Sequence, residues 1–266
     1  MKNILIPTDF SDNAWNAIAY AVKFFAKSSC RFYLLHVNTP NKNRVALIDK
    51  NASIKLNKTL NKIKTDLPKS NRHRFFTILD NNYLIKSIRD QVEEKQIDFI
   101  VMGTKGASDI KQIPLGSNTG NVITKVPCST LVVPENAKYS ELKEIAFPTD
   151  FLTLYTPNTL SNIANIVAEN KASVRVLHIK NSKAVLNEEQ QENKAFLDDY
   201  LGYNEHSFHF LTNTQIENQV QRFVENKHVN LITMLAKNLN YFQKILFHPT
   251  IPEIKYYTDI PFLVLH

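Results

Sequence analysis

The chain has 266 residues, of which 43% are apolar, and it carries 32 basic against 25 acidic residues for a formal net charge of +7. This length and apolar content exclude a disordered or fibrous chain and predict one large domain or two domains of about 130 residues. Only three apolar residues separate Lys2 from Pro7, and no segment approaches the roughly 18 apolar residues of a membrane span. We therefore expect a cytoplasmic protein without membrane insertion.

The positive charge belongs to the first half of the chain. Residues 1–140 contain 21 Lys and Arg against 11 Asp and Glu, whereas residues 141–266 contain 11 against 14. The first half is therefore suited to an anionic ligand. Between Lys42 and Arg74, apolar residues at helical spacing favour a solvated helix face, so nucleic-acid binding is not indicated. Cys30 and Cys128 show no CxxC spacing and predict buried, reduced thiols without a disulfide or zinc.

Short apolar runs alternate with amphipathic stretches, which is the pattern of a parallel sheet with crossover helices. In the first half the predicted strands are 3–6, 31–36, 74–79, 99–102 and 130–133. After the first strand, Ser11 is a candidate N-cap for a helix with one apolar stripe, and Trp15 lies just off that stripe. The polar stretch 134–142 predicts a linker between domains at 1–137 and 141–266.

An internal repeat organises the chain. Pro7-Thr8-Asp9-Phe10 closes a short apolar run and returns as Pro148-Thr149-Asp150-Phe151 in the same setting. Further pairs at similar offsets are Leu35-His36-Val37 with Leu177-His178-Ile179, Ile97-Asp98-Phe99-Ile100 with Val229-Asn230-Leu231-Ile232, and Val126-Pro127 with Ile260-Pro261. A spacing preserved through a whole half predicts a duplicated domain, with length differences absorbed in loops.

Four of the five glycines lie within eighteen residues, just after the predicted fourth strand, at Gly103, Gly106, Gly116 and Gly120. At the carboxyl end of a parallel strand, glycines let the backbone approach a ligand or adopt positive φ. The next helix turns its free N–H groups outward, so a phosphate group is the natural occupant. The spacing matches neither GxxxxGK[ST] nor GxGxxG.

The pattern Gly103-x2-Gly106-x9-Gly116-Ser117, following a strand that ends in Val-Met-Gly-Thr, resembles the ATP-binding branch of the universal stress protein family. The resemblance extends over both halves, including the opening Ile-Pro-Thr-Asp-Phe. It implies an α/β fold of two tandem doubly wound parallel-sheet domains, Rossmann-like and adenine nucleotide alpha-hydrolase-like. It also implies a stress-response regulatory function with bound ATP, AMP or ADP, and Mg²⁺ or Mn²⁺ on the phosphates.

The resemblance implies roles for particular residues. Asp9 would lie against the nucleoside with Pro7 and Thr8 in the same wall, and Val37 would contact the adenine through its backbone. The rest of the implied site, around the ribose and phosphates, consists of Met102, Gly103, Gly106, Gly116, Ser117, Asn118 and Thr119. Asn118 departs from the family pattern, in which an apolar residue is common, but the position would supply only a main-chain N–H.

Local structure offers another explanation for several of these residues. Asp9 can close an Asx turn or cap the first helix, and Ser117 and Thr119 stand at a predicted helix start, where hydroxyls cap helices without any ligand. His36 and His178 are interpreted as core-edge residues with no catalytic role.

The second half retains Asp150 but none of the glycines. Aligned at the fourth strand, Leu235, Asn238, His248 and Pro249 stand opposite Gly103, Gly106, Gly116 and Ser117. We therefore expect nucleotide in the first domain only. Single-domain members of the family resemble dimers joined through their last strands, so strands 130–133 and 262–265 are candidates for a pseudo-dimer within the chain. A further homodimer is left open.

Three functions compete at this point. The first is an ATP-binding regulatory protein with an unknown protein partner. The second is a slow ATPase or phosphoryl transferase, for which Asp109 and Lys111 are the nearby candidate residues. The third is an interaction or small-ligand module that works through the aromatic region of the second copy, around Tyr241 and Phe247.

Overall fold

The computed structural model describes residues 1–38, 50–104, 116–180, 185–212, 222–238 and 259–266. Contacts divide the chain into two compact units, Met1–Tyr139 (unit 1) and Ser140–His266 (unit 2). Within the described residues, no helix is long and apolar enough to cross a membrane.

Unit 1 alternates strands and helices along the chain. Its elements are β1 (Lys2–Pro7), α1 (Asp12–Phe24), β2 (Cys30–Val37), α2 (Lys50–Asp66), β3 (His73–Asp80), α3 (Leu84–Glu94), β4 (Phe99–Gly103), α4 (Ser117–Lys125) and β5 (Ser129–Val133). The strands pair in parallel in the order β3-β2-β1-β4-β5. The chain therefore winds outward in one direction from β1 and then in the other, which leaves a crevice beyond the carboxyl ends of β1 and β4.

Unit 2 repeats this topology. Its elements are β6 (Glu144–Thr149), α5 (Pro157–Asn170), β7 (Ser173–Lys180), α6 (Glu188–Leu201), β8 (His206–Thr212), β9 (Leu231–Leu235) and β10 (Phe262–Leu265). The parallel order is β10-β9-β6-β7-β8. The predicted α/β class, with parallel sheets and crossover helices, is confirmed.

Helix α1 shows how the local sequence fixes an element. The Ser11 hydroxyl oxygen accepts a hydrogen bond from the main-chain N–H of Ala14, so Ser11 caps the helix as predicted. One stripe of α1 and its C-cap is at most 7% exposed and packs into the core, namely Ala14, Ala17, Ile18, Ala21 and Phe25. Trp15, beside this stripe, is partly buried.

Both cysteines are buried, as predicted. Burial raises the pKa of the Cys128 thiol to about 12, with the nearby Asp98 carboxylate adding to the shift. The thiol therefore stays protonated at neutral pH and behaves as an apolar core group.

Candidate functional site

A cavity of about 180 Å³ lies in unit 1 at the crevice between β1 and β4. Eight predicted site residues line it, namely Pro7, Thr8, Asp9, Val37, Met102, Gly103, Asn118 and Thr119. Four lining residues were absent from the predicted site, namely Ala14, Leu35, His36 and Leu84. Five separate sequence segments, namely 7–14, 35–37, Leu84, 102–103 and 118–119, thus converge where ligands bind in open parallel sheets.

One side of the cavity is apolar. Leu35 and Val37 come from β2, Met102 from β4, and Leu84 is the first residue of α3. Leu35 is fully buried and Met102 is 7% exposed, so this wall is held rigidly by the core. Such a surface suits a flat, weakly polar ring. Leu84 could have been found from the sequence, because the helix after β3 must start at the same edge of the sheet as the helix after β4.

Another part of the lining comes from the start of α4. Gly116 is the N-cap, with φ −60° and ψ 148°, and as a glycine it provides no side-chain cap. The main-chain N–H groups of Ser117, Asn118 and Thr119 belong to the first turn and have no intrahelical acceptor. Among the described residues, no other acceptor reaches them. Asn118 and Thr119 line the cavity, whereas the predicted site residues Gly116 and Ser117 do not. The start of the helix therefore places main-chain N–H donors and its positive dipole end beside the cavity, which suits an anionic group.

Gly103 is required by close packing rather than by backbone conformation. A Cβ at this position would lie 2.7 Å from both Cγ and Oδ1 of Asn13, a residue of α1 that is 7% exposed. None of the described glycines has a positive φ, so the expected left-handed conformation does not occur at Gly103 or Gly116. Gly106 lies outside the described residues. The observed reason for glycine at the end of β4 is thus the approach of α1.

The Thr119 hydroxyl already has a partner within the protein. It donates a hydrogen bond of 2.8 Å to the carbonyl oxygen of Gly103, and Thr119 is 3% exposed. This bond ties α4 to the end of β4. Since its proton is engaged, the hydroxyl of Thr119 fixes the position of the helix. The other hydroxyl in the cavity lining belongs to Thr8.

Asp9 closes an Asx turn, which is the local explanation that the sequence also allowed. Its Oδ1 accepts hydrogen bonds from the main-chain N–H of Ser11 (3.0 Å) and from the Ser11 hydroxyl (2.6 Å). Thr8 Oγ1 accepts from the N–H of Phe10, whose φ is +66°. Asp9 remains exposed and lines the cavity, so the turn role and a ligand role are compatible.

Unit 2 builds the same turn from the repeated motif. The Asp150 carboxylate accepts from the N–H of Leu152, Thr149 Oγ1 accepts from the N–H of Phe151, and Phe151 has φ +58°. In both units the histidine of the second strand contacts the threonine carbonyl oxygen through Nδ1, at 2.8 Å for His36 and 3.0 Å for His178. The repeated Pro-Thr-Asp-Phe motif therefore has a structural function wherever it occurs.

The end of the fourth strand differs between the units. The β1–β4 and β6–β9 registers make Leu235 the equivalent of Gly103, and Leu235 is 4% exposed. The Tyr155 hydroxyl contacts the side chain of Thr149, the equivalent of the cavity residue Thr8. Burial raises the pKa of Tyr155, so this phenol is a neutral packing group. Side chains therefore occupy positions in unit 2 that border the cavity in unit 1. His248 and Pro249 lie outside the described residues.

The charges around the cavity are few. Asp9 is the only carboxylate among the described lining residues, and none of these is a lysine or arginine. In the described part of the chain, no group of three His, Cys, Asp or Glu side chains is placed to hold a metal ion. Any recognition of an anion by the described lining residues therefore depends on main-chain N–H groups and polar side chains rather than on lysine or arginine.

Comparison with known proteins assigns the family. The model of the Universal stress protein family matches residues 1–134, just over half of the 266 residues. The chain is 28% identical over 152 residues to Universal stress protein MJ0577 of Methanocaldococcus jannaschii, covering 50% of this chain and 94% of the relative. It is 28% identical over 144 residues to Universal stress protein MJ0531 of the same organism, covering 52% and 84%.

A solved structure shares the fold over nearly the whole chain. The crystal structure of a universal stress protein from Archaeoglobus fulgidus matches with a TM-score of 0.64 and 16% identity, covering 98% of this chain and 97% of that one. The family match spans all five strands of unit 1, from β1 to β5. Both comparisons agree with the resemblance that the glycine spacing suggested. The chain belongs to the universal stress protein family.

Proposed function

We propose that unit 1 binds one adenine nucleotide, with the base against the apolar wall and the phosphates at the start of α4. The observation that carries this proposal is that apolar side chains, including Val37 and Leu84, and the first turn of α4 line one cavity at the switch point. An apolar surface and a set of main-chain donors are the two features that a nucleotide requires. On this proposal, ATP occupancy of unit 1 biases the association of the protein with a partner during stress.

A divalent ion fits this site only as part of the nucleotide complex. The described lining provides one carboxylate, Asp9, and no cluster of metal ligands. Mg²⁺ is commonly held by substrate phosphates together with one or two carboxylates and water. We therefore propose that Mg²⁺ or Mn²⁺ would be bound chiefly by the phosphates, with ATP, ADP and AMP as the candidate nucleotides.

The same proposal leaves unit 2 without a nucleotide. Leu235 stands where Gly103 does in unit 1, and the Tyr155 hydroxyl lies against Thr149. Both differences support nucleotide binding in unit 1 alone, with domains at 1–137 and 141–266 and unit 2 as a degenerate universal stress protein domain. A cytoplasmic location belongs to the same proposal.

Titration calorimetry of nucleotide-stripped protein with ATP and Mg²⁺ tests the site directly. We expect one site per chain, and we expect Gly116→Val to abolish it, because a branched side chain at the N-cap would cover the donors of α4. The backbone angles of Gly116 are open to valine, so the fold should persist. His248→Val, at the aligned position of unit 2, is the matched control and should bind normally. Two sites per chain, or equal binding by Gly116→Val, would contradict the proposal.

We further propose that unit 2 serves as an intrachain partner of unit 1 through their last strands. Strand β5 ends the strand order of unit 1, and β10 ends that of unit 2. A strand at the edge of a sheet has main-chain N–H and C=O groups that can pair with another strand, so an edge strand is a site of association. A fragment of residues 1–139 is therefore expected to form a homodimer, measured by light scattering. A fragment that is folded by circular dichroism yet monomeric would rule this out.

A further inference from the structure

A second cavity of unit 1 lies between α1 and α2, on the other side of the β1–α1 loop from the first. Its volume is about 160 Å³. The apolar part of its lining includes Phe10, Trp15 and Ile18, and its ammonium groups come from Lys58 and Lys62 of α2. Nothing in the nucleotide proposal uses this cleft, although Thr8 borders both cavities.

The cleft is rich in cations. Lys58 and Lys62 are four residues apart on α2, so their side chains emerge on the same face of the helix. The Lys62 ammonium lies 4.0 Å from the centroid of the Trp15 ring, and Lys55 lies 5.5 Å from that of Phe10. Asp12 is the one carboxylate in the lining. Among the described residues, neither Lys58 nor Lys62 forms an ion pair.

Two of the three hydroxyl groups in the lining of the cleft are already engaged as donors. The Ser11 hydroxyl donates to the Asp9 carboxylate at 2.6 Å, and the Thr59 hydroxyl donates to the carbonyl oxygen of Lys55 at 3.0 Å. The positively charged donors in the lining of this cleft are the two ammonium groups of Lys58 and Lys62. Two neighbouring ammonium groups match the charge of a phosphate monoester dianion.

In unit 2, helix α6 covers the equivalent loop, which follows β6. Gln190 and Asn193 of α6 donate hydrogen bonds of 2.8 and 2.9 Å to the carbonyl oxygens of Asp150 and Phe151. Both side chains belong to buried residues, and Phe151 is fully buried. In unit 1 the equivalent Phe10 is only partly buried and borders an open cavity. The cleft is thus a specific feature of unit 1 and not a consequence of the fold.

We propose that the α1–α2 cleft binds a small organic phosphate, with the phosphate between Lys58 and Lys62 and the organic group against Trp15 and Ile18. The site is separate from the nucleotide cavity, so its occupancy requires no nucleotide. The aromatic and aliphatic walls favour a phosphate ester over free phosphate, because burial of the apolar group of an ester against them contributes binding free energy.

Trp15 is the only tryptophan of the chain, so its fluorescence reports on this cleft directly. We would titrate phenyl phosphate into nucleotide-stripped protein that carries Gly116→Val, which separates the result from nucleotide binding. A saturable change in Trp15 fluorescence is expected. Lys58→Gln and Lys62→Gln should each weaken binding about tenfold, since each removes a charged donor. Lys64→Gln, on the same helix but outside the cleft lining, is the matched control and should bind as the parent does.

Two further ligands decide the chemical class. Phenol should bind far more weakly than phenyl phosphate if the ammonium groups recognise the ligand, and inorganic phosphate should bind more weakly if the apolar walls contribute. The proposal is overturned by the lack of a saturable change, by equal affinity in Lys62→Gln, or by equal affinity for phenol. Inorganic phosphate binding as tightly as phenyl phosphate would overturn the assignment of an organic phosphate.

Discussion

Replacing Arg175 with methionine is expected to lower the free energy of unfolding of unit 2 by about 3 kcal/mol, because it leaves a partly buried carboxylate without its partner. Arg175 lies on β7 with its side chain 13% exposed, and the Glu144 side chain on β6 is 23% exposed. The guanidinium binds Glu144 with two hydrogen bonds, of 2.7 Å from Nε and 2.9 Å from Nη2. Paired hydrogen bonds of this kind are the strong form of the ion pair.

The strand geometry explains why these groups meet. The β7–β8 register pairs Arg175 with Ser207, and Glu205 lies two residues before Ser207, immediately ahead of β8. Arg175 also donates to the Ser207 hydroxyl oxygen at 3.1 Å and to Glu205 at 2.9 Å. One side chain therefore holds the amino ends of β6, β7 and β8 together. The Glu205 side chain is 72% exposed, so its share of the stability is small.

Urea unfolding of three variants measures this network. Arg175→Met should cost the most, Glu205→Gln should cost less than about 1 kcal/mol, and Arg175→Met combined with Glu144→Leu should recover much of the loss. The recovery is expected because the double change removes the unpaired carboxylate as well as its partner. Equal losses of unfolding free energy for Arg175→Met and Glu205→Gln would show that the Arg175–Glu144 pair contributes no more stability than the exposed Arg175–Glu205 pair.

The fold could be predicted from the sequence because its signals are local and repeated. The predicted ends of the strands in unit 1 differ from the observed ends by at most one residue, as for the predicted strand 31–36 and the observed strand Cys30–Val37. The agreement is close because continuous apolar runs mark buried parallel strands. The cap at Ser11 followed from its hydroxyl and the apolar stripe behind it. These features depend on neighbours within a few residues along the chain.

The site was only partly predictable because its contacts join distant segments. The glycine spacing identified Gly103, but the reason for that glycine is Asn13, which lies ninety residues earlier on α1. Thr119 was expected to face a phosphate, yet its proton is engaged by the carbonyl oxygen of Gly103. His36 was interpreted as a core-edge residue and also lines the cavity. Such pairings depend on how helices pack on the sheet, which periodicity does not encode.

Gly103→Ala is expected to lower the free energy of unfolding by about 1–3 kcal/mol, the usual cost of inserting a methyl group into a filled space. The added Cβ would lie 2.7 Å from the Asn13 side chain, well inside normal contact distance. Asn13 has little room to move, because it is 7% exposed. Gly103→Leu, which introduces the residue found at the equivalent position of unit 2, should cost more and should also abolish ATP binding.

A second substitution separates packing from ligand contact. Asn13→Ser shortens the side chain that opposes the new Cβ, so Gly103→Ala should cost less than half as much in that background as in the parent. Urea unfolding of the two single variants and the double variant gives this coupling directly. Additive losses would mean that Asn13 is not what makes glycine necessary at the end of β4.

The same variants show what Gly103 contributes to the nucleotide site. Its missing Cβ points towards Asn13, so a methyl group there should occupy the space of the asparagine and not the cavity. We therefore expect the Asn13→Ser, Gly103→Ala double variant to bind ATP within about threefold of the parent in calorimetry, an energy difference below about 0.7 kcal/mol. Loss of binding in a stable double variant would instead mean that the nucleotide itself requires glycine at this position. The N-terminus of α4 would then share phosphate recognition with the end of β4.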